Sequence, residues 1–276
     1  GSETFPEVAK TGANACRIFW QAIDEVPVAD LDAALQNCWD HQMIPVISLW
    51  DATGKWERFD DCMAYWLRPE VVEVLKRHEG HLLLNIANEA GDRNVTQEAF
   101  RAKYAEAVAA LREAGLRMPL MIDAARWGRD ESYLLENAAF LLEQDPLRSL
   151  IFSWHPWDVE QPASRYRAAM EASIEQDVCL VIGEFSRIGV HFKRTIDYRA
   201  ILDLSQELSI GWLAWVWHCC GEKTDGHSIT VGGRYGAWAN GWGRELALEH
   251  PNGLRATSLR TDYIRQQGPG RPVEEE

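Results

Sequence analysis

The sequence predicts an α/β fold of the (β/α)8 TIM-barrel type, and three observations predict it. Short apolar runs that read as buried strands begin at residues 16, 44, 81, 118, 149, 178 and 210, so that each starts 28 to 37 residues after the one before. Apolar residues at helical spacing fill most of the gaps, the alternation expected of one parallel sheet. No Gly-rich phosphate loop follows any run, which sets the doubly wound nucleotide-binding sheet behind the barrel. Seven runs are one short of the eight that close a barrel.

Taken in order, Ala15-Cys-Arg-Ile-Phe-Trp20 is the first strand, after a short helix ending near Thr11-Gly12. Asp30 is read as the cap of a helix carrying Leu31, Ala34, Leu35 and Cys38 on one face. Ile44 to Trp50 is a strand, followed by the loop Asp51-Ala-Thr-Gly54, a Trp- and Asp-rich stretch and a helix begun by Pro69. Leu82 to Glu89 is a strand. Asn94 or Thr96 opens a long helix with Phe100, Tyr104, Val108 and Leu111 at helical spacing, ended by Gly115. Met118 to Ala124 reads as strand, the segment from Ser132 to before Pro146 as helix, and Leu150 to His155 as strand. Pro162 to Gln176 reads as helix with Tyr166, Met170 and Ile174 on one side. Val178 to Phe185 is an apolar strand ending on Glu184, and Ile210 to Trp217 is the last strand, after a helix with Ile201, Leu202 and Leu208. Residues 3–267 form the barrel domain, and the tail 268–276 is expected to be disordered.

The run Val178-Cys-Leu-Val-Ile-Gly-Glu-Phe185 delivers a carboxylate at the end of a strand buried on both faces, as does Leu82-Leu-Leu-Asn-Ile-Ala-Asn-Glu89. A lone carboxylate inside such a strand is costly, so Glu89 and Glu184 are placed where the strands open into a cleft. In a barrel that cleft lies at the C-terminal ends of the strands. Arg17, Trp50, Glu89, Trp127, His155, Trp157, Glu184 and Trp217 gather there. Two carboxylates with indoles, one His and one Arg, and without a nucleophilic Ser, suit glycosidic bond cleavage.

Composition narrows the partners. The chain has 276 residues, 46% of them hydrophobic, enough for a large core. Its formal charge of −14 argues against a nucleic acid or other polyanion. Thirteen Trp exceed the needs of the core, and indole faces stack on sugar rings. No run is long enough to span a membrane. The six Cys show no CxxC spacing and only one His lies among the strand ends, so neither a metal nor another cofactor is expected. Cys16 and Cys179 read as small buried hydrophobes, the pair Cys219-Cys220 as partly exposed, and His191 and His227 as surface loop residues.

The chain resembles glycoside hydrolase family 5 of clan A, and within it the bacterial β-mannanases. The stretches that carry the resemblance are Thr11-Gly-Ala-Asn-Ala-Cys-Arg17, Asp51-Ala-Thr-Gly54, Asn85-Ile-Ala-Asn-Glu89, Leu120-Met-Ile-Asp-Ala124 with Trp127-Gly128, Asp145-Pro-Leu-Arg148, Phe152-Ser153 with His155, Leu180-Val-Ile-Gly-Glu-Phe185, Gly211-Trp-Leu-Ala-Trp215 with Trp217, and Asn252-Gly-Leu-Arg-Ala-Thr-Ser258. The resemblance implies a retaining glycosidase acting on a β-1,4-linked polysaccharide or oligosaccharide, mannan first and glucan second. It implies Glu89 as acid/base, Glu184 as nucleophile, Arg17 beside the nucleophile, Asn88 on the sugar 2-hydroxyl, His155 shaping the surroundings of the acid and Trp217 flooring the −1 subsite. It also implies a secreted or extracellular protein, although no signal peptide is recognised.

The departures are specific. Trp50 stands where the family has His, Trp157 where it has Tyr, and Ala90 where the mannanases carry Pro or Trp. The 218–242 loop differs as well. Loss of two polar −1 groups keeps a carbohydrate-binding pseudoenzyme as the alternative of a different class. The family's first strand has no counterpart in the chain. That should leave a gap which a partner, a terminal segment or strand closure would fill, and self-association is one route.

Overall fold

The structure is a computed structural model, and it describes residues 3–22, 26–190, 194–218 and 226–267. The tail 268–276, His191, Cys219 and Cys220 lie outside the described residues.

Seven parallel strands form one sheet in strictly sequential order: β1 (Ala15–Trp20), β2 (Ile44–Leu49), β3 (Leu83–Asn85), β4 (Leu120–Asp123), β5 (Leu150–Trp154), β6 (Leu180–Ile182) and β7 (Gly211–Trp212). Parallel pairing between consecutive strands requires a crossover in each gap, and helices supply it. After α1 (Thr4–Ala9), which precedes β1, they are α2 (Val28–Asp40), α3 (Phe59–Trp66), α4 (Pro69–Arg77), α5 (Gln97–Glu113), α6 (Ser132–Leu135), α7 (Ala138–Gln144), α8 (Ala163–Glu175) and α9 (Tyr198–Leu208), with shorter helical turns beyond. The side chains Ile47, Leu84, Ile122, Phe152 and Ile182 are buried with Phe100, Tyr104, Val108 and Leu111 of α5 and Tyr166 and Met170 of α8 in one apolar core. Each such side chain contributes about 1.5–3 kcal/mol by leaving water.

The alternating strand positions carry polar groups instead. Arg17, Ser48, Asn85, Asp123 and Ser153 recur around the sheet, with Ser48 opposite Asn85 and Asp123 opposite Ser153 in register. This polar layer faces the concave side of the curled sheet. It builds the site described below.

Several elements differ from the sequence reading, each for a local reason. Pro27, not Asp30, is the N-cap of α2, and Asp30 lies in the first turn, where a carboxylate favours the helix dipole. The Trp- and Asp-rich stretch is itself helical, as α3 and the short turn before it. The helix expected from Ser132 is two helices, because the Asn137 amide donates to the Tyr133 carbonyl (2.8 Å) and to Gln97 (2.6 Å) at the break. Ile174 is half exposed and Cys179 is exposed, while His227 is buried. β3 ends at Asn85, so Glu89 sits in a turn with φ +44°, a left-handed conformation that a non-glycine residue adopts at some cost.

The last strand is the largest difference. Regular pairing in β7 covers Gly211 and Trp212; Leu213 N–H still donates to the Ile182 carbonyl (2.9 Å) and Trp215 N–H to that of Phe185 (2.8 Å), and the chain then bonds the 227–230 loop, where Ile229 N–H donates to the Val216 carbonyl (2.9 Å) and Thr230 N–H to that of Trp217 (3.0 Å). β1 and β7 do not pair with each other. Between them lies a cavity of about 1990 Å³, lined by β1, β7, α1 and Glu184. The strands do not close the gap by pairing, and residues 3–8 together with Leu254, Thr257 and Ser258 line it.

Candidate active site

Glu89 and Glu184 reach the same imidazole from two strands. Glu89 Oε1 lies 2.8 Å from His155 Nδ1 and Glu184 Oε2 lies 3.7 Å from it. Oxygens of the two carboxylates and a nitrogen of His155 are all within 4.8 Å of one another. All three residues are buried.

Arg17 holds this group together from β1. Its Nη2 donates to Asp123 Oδ2 (2.8 Å), Asn88 Oδ1 (2.9 Å) and Ser48 Oγ (3.2 Å). Its Nη1 donates to the Gly183 carbonyl (3.3 Å) and lies 3.0 Å from His155 Nε2. A guanidinium has no lone pair, so the Arg17 contact is a hydrogen bond only when Nε2 accepts and the ring proton sits on Nδ1, where it donates to Glu89. Burial lowers the basicity of His155, and Asp123, Glu184 and Glu89 around the ring more than restore it. A second proton, on Nε2, has Ser153 Oγ (3.1 Å) and Asp123 Oδ1 (3.5 Å) to face.

Asp123 is the residue that sequence reasoning missed. It is fully buried, accepts from Arg17, from the Asn85 amide (2.8 Å) and from the backbone N–H of Glu89 (3.0 Å). Burial works against its charge, but Arg17 and His155 hold the carboxyl well below the usual carboxylate range. Asp123 ends an apolar strand, the same pattern that singled out Glu89 and Glu184. That signal was present in the sequence.

Glu184 is in the opposite state. Burial, reinforced by Glu89, pushes its pKa up to about 7 against the pull of His155 and Arg17. A neighbouring Arg favours the ionised form of a carboxyl. Arg17 spends its short bonds on Asp123 and Asn88 and reaches Glu184 Oε1 only at 3.5 Å. Oε1 is buried with no hydrogen bond. Trp157, in place of a hydroxyl-bearing Tyr, is buried and packs edge-on against His227, 5.5 Å between ring centres. Burial, helped by Arg187, also lowers the pKa of His227 to about 4.

The glycine before the nucleophile candidate has a steric reason. A Cβ on Gly183 would overlap Ser153 Oγ and lie 2.6 Å from His155 Nε2. Only a hydrogen fits there.

The indoles divide into groups. Trp50 stacks on Trp215, 5.6 Å between ring centres and 23° between planes, and Phe19 meets both edge-on at 5.0 and 5.1 Å. Arg17 lies 5.1 Å from the Phe19 ring, so this aromatic trio adjoins the carboxylates. Trp217 lines the same cavity as Glu184 and Trp215; its Nε1 donates to the Gly233 carbonyl (2.9 Å) and it packs on Trp238 and on the small cluster of Phe5 and Val8. Trp215 is held there by its backbone N–H, which donates to the Phe185 carbonyl (2.8 Å). Trp127 stands across the site, its N–H donating to the Gly91 carbonyl (3.2 Å), two residues past Glu89. Asn88 is fully buried, with its amide also donating to Thr53 Oγ1 (2.9 Å). Glu89, His155 and Glu184 are the one group among the described residues with atoms close enough to hold a metal ion, although the sequence suggested none. Arg17 already supplies a cation at that point.

The family model described as cellulase (glycosyl hydrolase family 5) matches residues 7–221. The chain belongs to glycosyl hydrolase family 5. A mannan endo-1,4-beta-mannosidase of Salipaludibacillus agaradhaerens is 30% identical over 282 aligned residues, covering 98% of this chain and 88% of that protein. The crystal structure of a β-mannanase from Streptomyces thermolilacinus with mannohexaose superposes with a TM-score of 0.85 at 26% identity, over 95% of this chain and 87% of that one. The β-mannanase of Thermomonospora fusca gives 0.87 at 25%, over 95% and 88%. The family 5 glycosidase described here thus shares the barrel of these enzymes over nearly its whole length, with seven strands in its sheet.

Proposed function

We propose that this family 5 glycosidase hydrolyses β-1,4-linked mannan or manno-oligosaccharides with retention of configuration, by double displacement. The observation that carries the mechanism is the approach of the Glu89 and Glu184 carboxylate oxygens to within 4.8 Å of one another. Retaining enzymes hold the two carboxyls about 5–5.5 Å apart, whereas inverting ones need roughly 6.5–9.5 Å to admit water. The names of the similar proteins support mannan as the first substrate, with β-glucan second.

In this reading Glu184 attacks the anomeric carbon while Glu89 protonates the departing oxygen. Glu89 then deprotonates the water that releases the glycosyl-enzyme. His155 and Arg17 orient the pair, Arg17 also fixes Asn88 for the 2-hydroxyl, and Trp217 floors the −1 subsite, with the Trp215–Trp50 stack as further indole surface beside it. A reducing-sugar assay over β-mannan, β-glucan and xylan tests the substrate, and proton NMR of the first product formed tests the stereochemistry. An α-anomeric first product would overturn the mechanism.

A carbohydrate-binding pseudoenzyme is favoured by one observation, the buried Glu184 Oε1 left without a hydrogen bond. Binding of manno-oligosaccharides with no hydrolysis of any β-glycan would establish it.

A further inference from the structure

A second cavity, of about 380 Å³, is walled by Arg93, Arg126, Trp127, Arg129, Asp158 and Arg165, together with Asp130, Glu131 and Ser132. In a chain of net charge −14, four guanidinium groups around one hollow call for an account. Arg165 is saturated: it donates to Asp158 (2.8 Å) and through two nitrogens to Glu131 (2.9 and 3.3 Å). Arg126 is paired with Asp130 at 3.0 Å. Arg129 reaches Asp158 only at 3.8 Å, and its buried Nε has no hydrogen-bond partner. Arg93 is exposed and forms no hydrogen bond or ion pair among the described residues. Four cations therefore face three carboxylates that two of the arginines already occupy, and the hollow keeps unspent positive charge.

The cavity is rigidly tied to the acid/base side of the site. Arg126 and Trp127 both adopt left-handed backbone, φ +57° and +58°, strain of the kind held at binding sites. The next residue, Gly128, accepts from the backbone N–H of His155 (2.8 Å), and a Cβ there would strike the His155 ring at 2.6 Å. Trp127 is also pinned to Gly91, just past Glu89. A ligand on the Trp127 face thus lies on the side from which Glu89 protonates the leaving group.

We infer that this cavity is a leaving-group subsite for a sugar bearing a carboxylate, a uronic acid residue or branch of a β-linked polysaccharide, gripped by Arg93 and Arg129 with Trp127 as its stacking wall. Charge-assisted pairing of guanidinium with carboxylate is the chemistry such a hollow offers and a neutral hexose cannot use. The inference deepens the proposed hydrolase reading, from which it takes the direction of the substrate.

The test compares mannohexaose with the same hexaose oxidised at C6 to the uronate, and with a hexaose carrying one glucuronosyl branch. Binding is followed by tryptophan fluorescence in the Glu184→Gln variant, which lacks the nucleophile and leaves Glu89 in place. At low ionic strength one of the acidic ligands should bind about fivefold tighter than the neutral one, the size of one partly exposed ion pair. The preference should shrink in 1 M salt, where the Debye length falls to about 3 Å. Adding Arg93→Ala or Arg129→Gln should bring the ratio toward one. A ratio of one or less for both acidic ligands, no binding of any of the three, or a preference untouched by both substitutions overturns the subsite. Should the preference stand while the wild type hydrolyses nothing, the hydrolase reading falls and the subsite does not.

Discussion

Glu89 and Glu184 meet at one nitrogen: His155 Nδ1 stands 2.8 Å from an oxygen of the first and 3.7 Å from an oxygen of the second. The strands that deliver them are three apart in the sheet, so the meeting depends on the curl of the sheet. Nδ1 carries one proton and gives it to Glu89. The two carboxyls are therefore chemically distinct before any sugar arrives.

That distinction sets the first prediction. Glu184→Ala should abolish hydrolysis. Glu89→Ala should lose about 10²–10⁴-fold on mannan yet keep activity on aryl glycosides with good leaving groups, since it retains the nucleophile. Azide should rescue Glu89→Ala with a β-configured glycosyl azide and Glu184→Ala with an α-configured one, as read by NMR. Opposite anomers would exchange the two roles.

The second prediction follows from burial of Glu184. With its pKa pushed up to about 7, the ionised nucleophile is lost below that pH, so kcat/KM should fall about tenfold for each further unit of acid. The same shift acts on stability. A carboxyl whose folded pKa is raised adds stability below its unfolded value of 4.5 that is lost as pH rises through about 7. Glu184→Gln, which cannot ionise, should therefore raise Tm over the wild type at pH 8 and not at pH 4. The expected gain is several degrees, at roughly 2–4 °C per kcal/mol for a chain of this size. An equal Tm difference at both pH values would contradict the assignment.

Asp123 supplies the third. Removing its charge leaves Arg17 buried opposite an incomplete set of acceptors, and breaking a buried pair costs about 3–5 kcal/mol. Asp123→Ala should lower Tm in thermal unfolding and also reduce kcat, because the backbone of Glu89 loses its anchor. Asp123→Asn, which keeps an acceptor for that N–H, should be the milder of the two. An unchanged kcat in both variants would separate Asp123 from the positioning of Glu89.

The fourth concerns the two indoles that replace polar residues of the family. Trp50→His with Trp157→Tyr should raise kcat on β-mannan, since a hydroxyl near the nucleophile could satisfy the unpaired Glu184 Oε1. An unchanged or lower rate would show the indoles to be adapted to this chain's own substrate.

Much of the protein was legible in the sequence because the signals are local. The strand bounds of β1 are as read, and Thr96 caps α5 through the hydrogen bond its type predicts, accepting from Ala99 N–H at 3.2 Å. Glu89 and Glu184 stand out in the sequence because a carboxylate closing an apolar strand is a conflict visible in one dimension. What the sequence by itself determined is therefore the strand–helix order and the residues at the strand ends. Tertiary structure alone decided how those ends face one another. The curl of the sheet sets both carboxylates on His155. Backbone bonds from Leu213 to Ile182 and from Trp215 to Phe185 carry the chain past Trp212, and Trp215 stacks on Trp50 from across the sheet. Burial, a sum over the whole fold, lifts Glu184 while Arg17 is spent on Asp123. Distances between strands far apart in sequence, and the water they exclude, are properties of the closed packing, and no short stretch of residues contains them.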